Sequence, residues 1–256
     1  MSVPISTKIP SNAQQLAARA FLYEALAYLM RHPAFNVECA TIDKEGPFWL
    51  ELVDKAGYQN KEKLINAVRE VIGHWRVTDQ KQWISQYEDC YGFVAHGAAA
   101  PYEMEYGLEH THRQPHVLAD IAGFYRAFGL EPLSATTERV DHLSVECEFM
   151  YYLLLKQAHA LQEGQVENAM ICAQAAEQFL KEHLGFWAPS FGMRLSKYAP
   201  PGLIKASAGF CSVFIILECR EREIVPGPQD LPLRAAEEKE DPGCMGCATK
   251  TDGECA

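Results

Sequence analysis

Thr137-Glu138-Arg139-Val140-Asp141-His142-Leu143 sets two carboxylates and an imidazole where a polar loop turns into an apolar helix. Upstream, Pro101-Tyr102-Glu103-Met104-Glu105-Tyr106-Gly107 interleaves carboxylates with phenol rings. Carboxylates take guanidinium groups bidentately, so the two segments together describe a surface for a cationic, partly apolar peptide rather than a reaction centre. A plainer reading stands beside it. Asp141 can act as N-cap of the following helix, with Glu138 close by, where the helix dipole stabilises a carboxylate by roughly 0.3–1 kcal/mol. His142 either adds a contact whose charge changes near neutral pH or packs as a structural histidine.

Two other clusters offer different chemistry. His110-x-His112-x-x-x-His116 brings three imidazoles close in sequence, enough for zinc or nickel, and Glu109-x-x-His112 copies half of a di-iron helix signature. No second Glu-x-x-His occurs, and the copy lies in a loop ahead of Pro115, so a solvated loop is the default there. Cys244-x-x-Cys247 with Cys255 supplies three thiolates for a zinc or iron–sulfur species, short of a fourth ligand. These clusters support an alternative: a small helical metal-binding protein or metalloenzyme. There is no Gly-rich phosphate loop and no Gly-x-Ser-x-Gly, so nothing points to a kinase or a hydrolase.

The elements that must position these groups read as helices almost throughout. Ser11-Asn12 can cap a run from Ala13 to Met30; Pro47 suits the first turn of a short helix carrying Phe48, Trp49, Leu50 and Leu52. Asn60 can cap Lys61–Trp75, where Leu64, Val68, Val71, Ile72 and Trp75 recur at helical spacing, and Thr78-Asp79 opens a run to Tyr91. Helix is expected again from about Pro115 to Gly129, from Asp141 to Glu163, from Val166 to Leu184 and from Gly202 to Arg222. Strand signals are thin. The expected fold is all-α: one helical-bundle domain over residues 1–222. A Pro- and charge-rich tail, 223–256, carries the Cys cluster and cannot bury apolar surface.

A hydrophobic fraction of 48% is ample for a core. The net charge of −11, with pI near 5.3, argues against binding nucleic acid or anionic lipid. Ala206–Leu217, the longest apolar stretch, falls short of the roughly 20 residues of a membrane helix. Met1–Pro10 holds no apolar run of a secretory signal, and nine cysteines do not space as a disulfide framework, so a cytoplasmic protein is expected.

One ordered series sharpens the reading. Tyr87–Gly97 and Pro101-Tyr102-Glu103-x-Glu105-Tyr106 are followed by Leu118-Ala119-Asp120-Ile121-x-x-Phe124-Tyr125-x-Ala127-Phe128-Gly129-Leu130, then by Glu138-x-x-Asp141-His142-Leu143-x-x-Glu146-x-Glu148-Phe149-Met150. In that order they resemble the TorD/DmsD/NarJ family of redox-enzyme maturation chaperones, from the first helix to about residue 220. The resemblance implies an all-helical protein with no catalytic activity and no cofactor of its own. It implies a partner, the apo catalytic subunit of a molybdopterin oxidoreductase, whose N-terminal or twin-arginine segment is held until its molybdenum cofactor is inserted. The family's Asp-His pair falls on Asp141 and His142, and Tyr102, Glu103, Tyr106, Phe124, Tyr125, Glu138 and Leu143 are the neighbouring candidates for the groove. Where the family often has Pro before that pair, this chain has Val140, which loosens the loop. The tail and the Pro-Tyr-Glu form look similar to chaperones for selenate, chlorate, dimethyl sulfide or ethylbenzene enzymes, with nitrate reductase also open as a client.

Overall fold

Leu64, Val68, Val71 and Ile72 line one stripe of a helix at Glu62–Trp75, and that stripe is buried against the apolar helix Leu203–Glu221. The same logic builds the rest of the computed structural model, which describes residues 13–35, 39–43, 46–91, 99–107, 114–131 and 138–234. Among them run nine α-helices: α1 Ala13–Met30, α2 Trp49–Lys55, α3 Glu62–Trp75, α4 Gln80–Tyr91, α5 Gln114–Ala127, α6 Leu143–Gln162, α7 Val166–Phe179, α8 Gly185–Tyr198 and α9 Leu203–Glu221. The fold is all-α, as the periodicity implied. Its only ladder among the described residues is a two-residue antiparallel pair, β1 Ile42–Asp43 with β2 Gly46–Pro47. Pro47 therefore belongs to β2 rather than to a first helical turn; α2 starts at Trp49, whose indole N–H donates to Thr41 Oγ1 at 2.7 Å.

α1, α6 and α9 are apolar on most sides because neighbours cover most sides. α1 packs along α6, and α9 meets α3, α4 and α8. The close α8–α9 crossing needs Gly192, where a Cβ would lie 2.8 Å from the Ala208 carbonyl oxygen. A charge cluster sits inside this core. Glu218, fully buried, accepts from Tyr58 Oη at 2.6 Å, Tyr23 Oη at 3.3 Å and Arg222 at 3.2 Å, with Arg19 at 3.7 Å. Burial alone would raise its pKa, but Arg222 and Arg19 outweigh that and hold it below the usual value. The cluster ties α1 and the α2–α3 turn to α9.

One expectation about the second half is corrected. The helix beginning at Val166 does not stop at Leu184. Through a π-helical turn at Leu180–Leu184 it continues into α8, which Gly185 and Pro189 disguise as a break. Pro189 lacks the N–H that would pair with the Gly185 carbonyl, and Gly227 N–H donates there instead, at 2.9 Å. Residues 223–234, expected in the tail, form a strap: Ser190 Oγ donates to the Pro228 carbonyl at 2.6 Å and accepts from Leu231 N–H at 2.8 Å. Arg194 donates to the Leu231 carbonyl at 3.2 Å. Ile224 is buried. The thiols Cys244, Cys247 and Cys255 lie outside the described residues, as do His110 and His112, while His116 is exposed on α5. Cys39, Cys90, Cys147, Cys172, Cys211 and Cys219 are free thiols. No helix among the described residues is long and apolar enough to cross a membrane.

Candidate peptide-binding site

The two sequence segments meet as backbone before they meet as side chains. Tyr102 and His142 form an antiparallel bridge, Glu103 N–H donates to the Asp141 carbonyl at 3.0 Å, and Leu143 N–H donates to the Pro101 carbonyl at 2.9 Å. The Glu103–Glu105 turn is thereby pinned to the N-terminus of α6. On its other side Gly107 N–H donates to the Pro232 carbonyl and Arg234 N–H to the Glu105 carbonyl, each at 2.9 Å, so the strap braces the same turn.

Asp141 is not the N-cap of α6. That position is His142, whose Nδ1 accepts from Ser144 N–H at 3.1 Å and lies 2.8 Å from Ser144 Oγ. Asp141 is released to face the upstream segment, and its buried carboxylate accepts Met104 N–H at 3.2 Å. Arg139 then closes on it as a fork, Nε to Oδ1 at 3.0 Å and Nη2 to Oδ2 at 2.8 Å, and reaches Glu105 Oε1 at 3.4 Å. Its guanidinium lies over the Tyr102 ring, 4.3 Å from the centroid. Tyr102 Oη donates to Glu138 Oε2 at 3.4 Å. Burial, reinforced by the Glu138 carboxylate, pushes the Tyr102 phenol up to about 12.

Of the two readings of His142, a titrating contact or a packed histidine, its surroundings match the packed one. Fully buried, with Arg31 and Arg139 nearby, it is lowered to about 3, so it stays uncharged under ordinary conditions. Its Nε2 has no hydrogen-bond partner, and the Tyr102 ring meets the imidazole edge-on at 5.2 Å.

The remaining candidates underlie this shelf. Leu143 is fully buried. Tyr125 donates from its hydroxyl to the Val140 carbonyl at 2.8 Å and packs on Phe149, which steadies the loop at Val140. Tyr106 is buried against Trp187 and bridges to Leu233 through its backbone. Glu103 turns inward to His183, with Nδ1 3.2 Å from both carboxylate oxygens. Glu146 is buried with it and accepts Trp187 Nε1–H at 3.1 Å; burial first, then the Glu103 charge, holds it well above the usual carboxylate range. The accessible part of this candidate site is thus Tyr102, Glu138 and Arg139, with Glu105 and Asp141 behind the guanidinium. Arg139 was readable as the residue two places before Asp141. His183 and Trp187 carried no local signal, because their partners lie far away in sequence.

A family model described as nitrate reductase delta subunit matches residues 54–192. The perchlorate reductase assembly chaperone protein of Dechloromonas aromatica is 41% identical over 76 residues, 30% of this chain and 33% of that protein. The chlorate reductase assembly chaperone protein of Ideonella dechloratans is 35% identical over 79 residues, 31% of this chain and 40% of that protein. The chaperone protein TorD of Vibrio cholerae is 28% identical over 89 residues, 35% of this chain and 39% of that protein. The chain therefore matches two fifths or less of the length of these curated relatives. The family model, by contrast, spans more than half of this chain and every residue from Tyr102 to Ser144 that builds the shelf; the chain belongs to the nitrate reductase delta subunit family, the NarJ/TorD type of reductase assembly chaperone and not a family of catalysts.

Proposed function

We propose that this chain is a system-specific assembly chaperone that binds the N-terminal segment of a molybdopterin oxidoreductase catalytic subunit at the shelf around Arg139. The observation that carries the reading is Arg139 itself. A guanidinium held by a carboxylate fork over an aromatic ring is the chemistry by which an arginine-bearing leader would be recognised. Arg139 is two-fifths exposed, whereas the Asp141 side chain beneath it is sealed. A client arginine would displace Arg139 from the edge and inherit Asp141 and Glu105, with Glu138 taking the second arginine.

Binding is then an exchange of one guanidinium for another, which keeps the affinity modest. A micromolar dissociation constant, about 8 kcal/mol, suffices for an escort that must let go. The chain would hold the apo subunit in the cytoplasm, keep it open to its molybdenum cofactor, and release it for export once loaded. It would need no cofactor of its own. Relatives named for perchlorate, chlorate and selenate reductases favour an oxyanion reductase as the client.

Co-expression of the tagged chain with such a catalytic subunit tests the proposal. Apo subunit with its leader should co-purify, and cofactor-loaded or leaderless subunit should not. Equal capture of all three forms would show a scaffold that does not read the leader, and capture of none would remove the client.

A further inference from the structure

The π-helical turn at Leu180–Leu184 has an effect apart from the shelf. It brings Glu182 and His183, adjacent in sequence, to face Asp120 on α5, and one ligand-type atom of each lies within 4.8 Å of the others. Asp120 and Glu182 are exposed, so solvent ions reach them. His183 is only 3% exposed. Its Nδ1 is engaged by the Glu103 carboxylate at 3.2 Å, which leaves Nε2 on the side of Asp120.

Nε2 lies beside the Asp120 carboxylate without a hydrogen bond to it. It comes 3.3 Å from Asp120 Oδ2, yet the alignment is not that of a hydrogen bond, and the buried nitrogen has no hydrogen-bond partner. A simple imidazolium–carboxylate pair would aim its N–H at the oxygen, because a misdirected buried donor costs about 1–3 kcal/mol. A shared cation asks for a different arrangement, in which both lone pairs converge on a point between the atoms. Ligand atoms about 2.0–2.1 Å from a tetrahedral zinc stand about 3.3–3.4 Å apart, which matches the His183 Nε2–Asp120 Oδ2 separation of 3.3 Å. A metal-binding imidazole also commonly carries a carboxylate on its other nitrogen, fixing the ring and raising its basicity, as Glu103 does for His183. π-turns recur at functional sites.

We infer that Asp120, Glu182 and His183 form a binding site for a divalent cation of zinc-like chemistry, with Glu103 as the positioning residue behind the imidazole. The donor set is one nitrogen and two carboxylate oxygens, and water completes the coordination. Glu182 also accepts from Gln178 Nε2 at 3.2 Å, a contact compatible with its other oxygen serving as ligand. A cation held there would clamp α5 to the α7–α8 junction. The site shares Glu103 with the shelf but does not depend on the leader-binding reading, since its three ligands take no part in holding Arg139.

The test is calorimetric titration of zinc chloride into the full chain carrying Cys244→Ser, Cys247→Ser and Cys255→Ser, so that tail thiolates cannot bind the metal. One zinc per chain is expected. Asp120→Asn with Glu182→Gln, both at the surface and so harmless to folding, should abolish it. Glu103→Gln should weaken it by about 10–100-fold, while far-ultraviolet circular dichroism stays unchanged. In nitrogen-15 spectra zinc should shift the His183 Nε2 resonance. No binding to the thiol-free chain, or binding that survives Asp120→Asn with Glu182→Gln, would overturn the inference.

Discussion

Arg139 lays its guanidinium against the carboxylate of Asp141, two residues along the same loop, with Nε 3.0 Å from Oδ1 and Nη2 2.8 Å from Oδ2. The loop therefore carries a cation and the anion that binds it. Asp141 is sealed from solvent, so a carboxylate there needs a partner. Arg139→Gln should lower stability by about 1–2 kcal/mol, discounted for the exposure of the arginine. It should also raise affinity for an arginine leader about tenfold, because the Asp141 carboxylate no longer has to be won from a resident guanidinium. Urea melts and peptide titration of one variant check both signs; affinity that falls would make Arg139 a contact rather than a placeholder.

The two buried histidines of this region should give stability opposite pH dependences. For His142, lowered to about 3 chiefly by burial, the unfolded chain takes up a proton near 6.5 that the folded chain refuses. Its contribution is complete above about pH 6.5 and is lost toward pH 3, at up to about 1.4 kcal/mol per pH unit. For His183 burial works downward, but the hydrogen bond and charge of Glu103, with Asp120, win and raise it above 6.5. That contribution is present below pH 6.5 and fades as pH rises through the raised value. His142→Asn keeps a capping acceptor for Ser144. The stability difference between the parent and this variant should shrink by about 2–3 kcal/mol between pH 6 and 4. Parallel curves would contradict the assignment.

Glu218 should behave as the keystone of the α1–α9 contact. Glu218→Gln leaves Arg19 and Arg222 without their shared anion and should cost about 3–5 kcal/mol. Because burial of an ion pair is itself costly, Glu218→Leu combined with Arg19→Met should cost clearly less than the sum of the two single changes. Strict additivity in chemical denaturation would show that the ions act independently.

The strap makes a prediction about length. A chain ending at Glu223 loses the bonds from Gly227 to Gly185, from Leu231 to Ser190 and from Arg234 to Glu105. It should be about 2–4 kcal/mol less stable than a chain ending at Arg234. It should also bind the leader more weakly, since the Glu103–Glu105 turn loses its outer brace. Equal melting temperatures for the two lengths would mean that the strap only rests on α8.

Much of the helical plan was open to inspection in the chain because its signals are local. The stripe Leu64, Val68, Val71, Ile72 marks α3, and the reciprocal pair of Asp79 with Gln82, at 2.8 and 3.1 Å, starts α4. α8 was hidden for the opposite reason. Gly185 and Pro189 are breakers locally, and what rescues them is the N–H of Gly227, some forty residues later. The shelf stood between these cases. Tyr102-Glu103 and Asp141-His142 could be paired only through their ordered recurrence, and the physical cause, a backbone bridge, is invisible in residue types. Asp141 looked like a cap because a carboxylate suits a helix start, but His142 takes that place one residue on. The link from Glu103 to His183 spans 80 residues and involves no repeat or spacing that a linear reading could use.

The most direct measurement is a calorimetric titration of the full chain with a synthetic leader peptide, an Arg-Arg pair followed by an apolar stretch, against the same peptide with Lys-Lys. The account predicts micromolar binding of the arginine form. Binding should be at least about tenfold weaker for the lysine form, which cannot make a bidentate fork, and for the chain carrying Glu105→Gln and Glu138→Gln. Equal affinity for both peptides, undiminished in that variant, would contradict it.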